Sequence, residues 1–186
     1  MAVAPFEIVA GPAEVFYGPV GEAFPSITTD PPGGNWLSFG RTEGGVVTAY
    51  EQNINLIRVN QVTGPLKAIR VDEALHVTFS LAEITVERYA MILNSQTVDL
   101  TGNTRAFPLG SGDEVQQKAI LVRGPSPHYN GFAQLQLYRC VQVGNPSPEY
   151  TREDKSILDV DWQCMEDSSV STPEGRFGDY LAQDSA

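Results

Sequence analysis

The sequence predicts a mainly β protein of α+β type, with a single helix laid against a sheet. Three observations predict it. Between Leu75 and Leu93 the apolar period changes once, from two residues to the helical repeat. Most other apolar runs are short, rich in β-branched and aromatic residues, and separated by Gly- and Pro-containing turns. The chain has 186 residues, 41% hydrophobic and 19% charged, which suits one buried core and leaves little for a second domain.

Residues 13–17 read as a first short strand, followed by a Gly- and Pro-loaded loop over 18–34 and an apolar run at 36–39. Gly44-Gly45 introduces residues 46–51, and residues 54–59 follow closely, as the arms of a hairpin or one long folded arm. The polar residues Gln52 and Asn53 lie at its expected tip. Gly64-Pro65 then breaks the pattern before residues 66–71. In residues 75–81, Leu75, Val77, Phe79 and Leu81 alternate with His76, Thr78 and Ser80, the mark of a strand with one buried and one wet face.

The helix starts directly afterwards. Thr85 fits the N-cap, Glu87 places an anion in the first turn, and Ile84 can staple onto Tyr89. Val86, Tyr89, Ala90 and Leu93 form the expected apolar stripe. Residues 94–112 read as loop with a short strand at 97–100. Three more strands follow: residues 119–122, the alternation of Ala133, Leu135 and Leu137 with Gln134, Gln136 and Tyr138, and that of Leu158, Val160 and Trp162 with Asp159, Asp161 and Gln163. One domain is expected over residues 1–167, with residues 168–186 as a tail, mobile until it docks.

The two cysteines fall on different phases. Cys164 continues the apolar phase of Trp162, whereas Cys140 shares the phase of Gln134, Gln136 and Tyr138. The phases predict no bridge, with one thiol in the core and the other toward water or a neighbour, unless a bulge intervenes. A reducing compartment suits both.

Twelve basic and 23 acidic residues give a net charge of −11, which weighs against attractive binding of nucleic acid. No apolar run approaches the ~18 residues of a membrane span, and the N-terminus lacks a basic region followed by an apolar stretch, so a soluble, unsecreted chain without membrane partners is expected.

Catalytic chemistry has little to stand on. His76 and His128 have no Cys or carboxylate at a recognised ligand spacing. Asp159 and Asp161 share a strand face, which reads as a solvated face sooner than as an acid pair or a cation site. Gly110-Ser111-Gly112-Asp113 lacks the Gly-Lys-Ser/Thr ending of a phosphate loop, and no serine sits in a nucleophile elbow. The expectation is a protein that is not an enzyme and uses no metal or cofactor.

A series of segments in the first hundred residues resembles the major tail tube proteins of long-tailed, non-contractile bacteriophages. In order they are Gly11-Pro12-Ala13-Glu14-Val15-Phe16-Tyr17, Gly34-Asn35-Trp36-Leu37-Ser38-Phe39-Gly40, Thr42-Glu43-Gly44-Gly45-Val46, Tyr50-Glu51, the Gly64-Pro65 break, and Val77-Thr78-Phe79-Ser80-Leu81-Ala82-Glu83-Ile84-Thr85. The second half matches only in style. The resemblance implies a β-sandwich or split barrel with one flanking helix. It further implies homo-hexameric rings stacked into a hollow tube of the virion tail, assembled in the host cytoplasm with other tail proteins, through which double-stranded DNA passes without tight binding.

An acidic balance agrees with such a conduit. Duplex DNA carries one negative charge per about 1.7 Å, and a basic wall repeated around a ring would hold it. Repulsion by an acidic wall reaches only about 8 Å at physiological ionic strength, so it lubricates passage and does not drive it. The expected lumen-facing residues are Thr78, Ser80, Gln134, Gln136, Asp159 and Asp161. Contacts between subunits or stacked rings are expected from Gln52, Asn53, Ile54, Leu56, Ile57 and Val59, whose apolar members occupy both strand phases; a hairpin buried on both sides would show the same pattern. The rival readings are a tail terminator or head-to-tail joining ring, and a carbohydrate-binding β-sandwich with Trp36, Trp162 and Tyr138 as stacking platforms.

Overall fold

The computed structural model describes residues 11–29, 32–60, 62–94, 98–110, 114–128, 131–148, 155–172 and 175–183. Its elements are β1 (Glu14–Gly18), β2 (Leu37–Ser38), β3 (Thr42–Ile57), β4 (Lys67–Leu81), α1 (Val86–Ile92), β5 (Asp99–Thr101), β6 (Thr104–Ala106), β7 (Gln117–Pro125), β8 (Phe132–Gln142), β9 (Leu158–Cys164) and β10 (Gly178–Ala182). The fold is mainly β with one helix, as the sequence predicts. The main sheet is antiparallel in the order β2-β1-β7-β8-β9-β4-β3, with β10 also paired to β8, while β5 and β6 form a separate hairpin.

Strand alternation decides what is buried. Val77, Phe79 and Leu81 of β4 lie opposite Trp162, Val160 and Leu158 of β9, and all six are buried. Val15 of β1, Ile120 and Val122 of β7, and Leu137 of β8 join the same core, so the sheet closes over one apolar centre as a sandwich. Phe39, between β2 and β3, sits where the two halves meet. Its ring centroid lies 4.7 Å from that of Tyr17, 5.2 Å from Phe79 and 5.8 Å from Trp162.

The outer face of β1 and β7 carries a smaller cluster of Phe16, Trp36, Ala119 and Leu121, with Phe24 packed on it. Residues 19–29 and 32–35 cover this face and are tied down by side chains. Trp36 Nε1 donates to the Ala23 carbonyl at 3.0 Å, and the buried Arg123 guanidinium donates to the carbonyls of Ser26 and Thr29 and to Gln134 Oε1. A buried charge of this kind is tolerated because carbonyl and amide oxygens meet its two terminal nitrogens.

β8 is the strand on which the sheet divides. Residues 133–137 pair with β10, and residues 140–142 pair with β9. Opposite β7 the register slips between Lys118↔Cys140 and Ile120↔Leu137, so β8 carries one extra residue. That bulge moves Cys140 out of the phase of Gln134 and Gln136 and into the core, correcting the expectation that it faces water. The region beyond Ser168 also contributes structure, since β10 belongs to it.

The helix begins where its capping signals place it. Thr85 is extended (φ −96°, ψ 159°) and its side chain accepts the Arg88 N–H at 3.2 Å. Ile84 and Tyr89 both pack on the core. The buried stripe differs from the expected one: Ala90, Met91 and Ile92 are buried, whereas Val86 and Leu93 are only half-buried. The helix has seven residues, and Asn94, at φ 57°, ends it with its N–H on the Met91 carbonyl. Thr85→Ala is expected to cost about 1 kcal/mol, read as a lower urea midpoint with an unchanged slope.

Candidate functional site

Two surfaces stand out, and both belong to the β3–β4 pair. The strands run antiparallel from Thr42↔Leu81 out to Ile57↔Lys67. The core supports only the inner part, through Val46, Val77, Phe79 and Leu81, with Leu75 at its margin. From Tyr50 to Ile57 all of β3 is exposed, as is β4 from Lys67 to Asp72. Eight extended residues span roughly 25 Å, so the hairpin projects from the body as an arm.

The arm is apolar on both faces. Ile54 and Leu56 share one face, while Ile57 lies on the other beside Ile69, and all four are exposed. Val71 is 64% exposed and has no residue opposite it, because the register slips between Asn53↔Asp72 and Ile54↔Arg70. Val59, Val62 and Leu66 add exposed apolar surface at the tip, where Leu66 N–H closes onto the Ile57 carbonyl at 2.9 Å. At the arm's base the Tyr50 hydroxyl donates to Glu73, and Arg70 Nη1 lies 3.2 Å from the same carboxylate.

This geometry corrects two sequence expectations. Gln52 and Asn53 lie within β3 opposite Glu73 and Asp72, and the chain reverses instead between Ile57 and Lys67. The alternative of a hairpin buried on both sides also fails, since β3 is an edge strand. The apolar residues of the return strand, Ile69 and Val71, were missed as part of the arm. Their signal was present in the β-branched runs on both sides of Gly64-Pro65.

The second surface is the outer face of β3, β4 and β9. Thr78 pairs with Asp161 and Ser80 with Asp159, so four of the six expected lumen residues come together. Ser80 Oγ donates to Asp159, and His76 Nδ1 lies 2.9 Å from Asp161 Oδ1. Glu43, on the same side of β3, forms an ion pair with Lys155. Glu43, Thr78, Ser80, Asp159 and Asp161, together with Gly44 and Gly45, border a shallow depression of about 340 Å³. The two glycines have φ of 73° and 93°, the left-handed region that side chains disfavour, and they form the irregularity where β3 gains residues relative to β4.

Gln134 and Gln136 lie elsewhere. Gln134 is fully buried beneath residues 19–29, with Nε2 donating to the Pro25 carbonyl at 3.0 Å, and so does not face a solvent-filled bore. Gln136 is half-buried opposite Leu121, on that same covered side of β7 and β8. Two of the three expected carbohydrate platforms are also lost. Trp36 and Trp162 are buried, and the Tyr138 hydroxyl is engaged with Asp179, a bond that pushes its pKa up to about 12.

Among the described residues no three His, Cys, Asp or Glu side chains gather to hold a metal ion, and no helix is long and apolar enough to cross a membrane. No family model matches the chain, and no curated protein matches it. Among solved structures it is similar to a chain of the six-fold symmetrised cryo-EM structure of the anti-feeding prophage (AFP) baseplate. The TM-score is 0.44 at 9% identity, over 99% of this chain and 98% of that one.

Proposed function

We propose that this protein is a structural subunit of a bacteriophage tail. In this reading hexameric rings stack into a hollow tube that conducts double-stranded DNA, and the protein is not an enzyme. The observation that carries it is the arm, an exposed hairpin apolar on both faces and attached to an otherwise well-buried sandwich. Isolated apolar side chains on a surface are ordinary, whereas a contiguous set spread over two strands and their turn marks an interface. The occupant is a second copy of the chain, because the order of tail-tube-like segments from Gly11 to Thr85 includes this arm.

The outer face of β3, β4 and β9 is the wall such a tube would present to its cargo. It offers hydroxyls and carboxylates, with its basic groups already engaged: His76 with Asp161 and Lys155 with Glu43. Phosphates find little there to bind.

Negative-stain electron microscopy of the concentrated protein tests the reading. Open tubes are expected; single closed rings would favour a terminator or joining role, and a persistent monomer would remove the assembly reading altogether. A second test addresses the wall. Asp159→Lys with Asp161→Lys should give tubes that retain short duplex DNA on sedimentation and release it steeply as salt rises from about 50 to about 200 mM. Tubes of this variant that bind no more DNA than wild type would take these residues out of the lumen.

A further inference from the structure

Cys140 and Cys164 are the only cysteines of the chain, and they face each other directly across β8 and β9. Both are free, both are buried, and their sulfurs lie 3.4 Å apart. Directly opposed residues of an antiparallel pair have Cα atoms about 4.5–5.5 Å apart, inside the range that a disulfide spans. Closure to a bond of about 2.0 Å needs the sulfurs to approach by about 1.4 Å, within reach of small side-chain rotations.

The place of the pair gives such a bond a consequence. The ladder between β8 and β9 consists of Cys140↔Cys164, Val141↔Gln163 and Gln142↔Trp162, shorter than every other junction of the sheet's main order except the β1–β2 edge. It joins β2-β1-β7-β8 on one side to β9-β4-β3 on the other. The two thiols differ in access. Cys164 borders a surface groove of about 550 Å³ with Met165, Glu166 and Phe177, whereas Cys140 is fully buried behind it. The hydrogen bond to Cys164, together with burial, pushes the Cys140 thiol well above its ordinary range and keeps it protonated.

We infer that Cys140 and Cys164 form a modification site for peroxide-class oxidants, where oxidation closes a cross-strand disulfide that staples the two half-sheets. The Cys164 sulfur, its proton lost to water, attacks one oxygen of hydrogen peroxide. The O–O bond breaks, the released hydroxide takes up a proton to become water, and Cys164 is left as the sulfenic acid. The Cys140 sulfur then attacks the sulfenic sulfur. The S–S bond forms, the S–O bond breaks, and hydroxide leaves with the Cys140 proton as a second water. Two thiols are oxidised by two electrons, and one peroxide is reduced to two waters. A glutathione-poised compartment holds the pair reduced, and an oxidising medium closes it. The site does not depend on the assembly proposed above.

The test uses the full chain, reduced with a phosphine or treated with hydrogen peroxide, then unfolded, alkylated and peptide-mapped. Two alkylatable thiols are expected to become none, with both cysteines in one linked peptide lacking two hydrogens. The treated chain should melt roughly 5–10 °C higher, reversibly on reduction. In Cys140→Ala, Cys164 should stop at a sulfenic acid that a cyclic diketone traps; in Cys164→Ala, Cys140 should stay reduced. Thiols that remain alkylatable in the wild-type chain, a disulfide formed only between chains, or a closed disulfide without a rise in melting temperature would each overturn the inference. So would oxidation of Cys140 in the absence of Cys164.

Discussion

Ile54→Asp combined with Leu56→Asp is expected to leave a folded monomer that no longer polymerises. Both residues lie on one face of the arm, outside the core, and are exposed in the free chain, so the monomer loses no packing. In the proposed assembly the same positions would be covered. Each buried Ile or Leu contributes about 1.5–3 kcal/mol, and a carboxylate at a covered apolar position costs more. A loss of about 4 kcal/mol per joint raises the concentration needed for assembly roughly a thousandfold. Light scattering across a concentration series, with circular dichroism to confirm the fold, measures this. Wild-type-like polymerisation of the double variant would exclude the arm as the joining element.

Phe39→Ala carries the largest expected stability loss. The side chain is fully buried, touches rings from β1, β4 and β9, and comes from a segment whose backbone N–H is held by the Val15 carbonyl at 3.0 Å. Its removal opens a cavity at the meeting point of the two half-sheets, where neither can relax without breaking its own ladder. A loss of about 3–5 kcal/mol is expected. For a chain of this length that lowers the melting temperature by roughly 10–15 °C. Differential scanning calorimetry settles it, and a shift of only one or two degrees would show that Phe39 is not the central packing residue.

Much of the fold was legible because it follows from local period. Residues 75–81 and 158–162 alternate cleanly, and their pairing buries the residues that the alternation marks as apolar. The Thr85 cap was legible for the same reason, since it needs only three neighbouring residues. What failed depended on partners distant in sequence. Cys140 changed sides because of one extra residue in β8, a bulge that becomes visible only against β7. Gln134 looked wet by alternation, yet Arg123 and residues 19–29 cover it. The reversal placed at Gln52 and Asn53 followed from their position between two apolar runs, but both residues continue one exposed edge strand. The expected site was therefore half legible. Thr78, Ser80, Asp159 and Asp161 share a face, and the apolar members of the arm were identified, while the strand that returns beside them was not.

The two-sidedness of the projecting hairpin limits which oligomers can satisfy it. A prong that is greasy on one side alone can be covered in a simple pair. In the proposed tube, one that is greasy on both sides can be clasped between two neighbours, whereas a pair meeting on a single face would leave the other side of each prong wet. That proposed arrangement gives every member a successor, either in a circle that closes or in a column that continues.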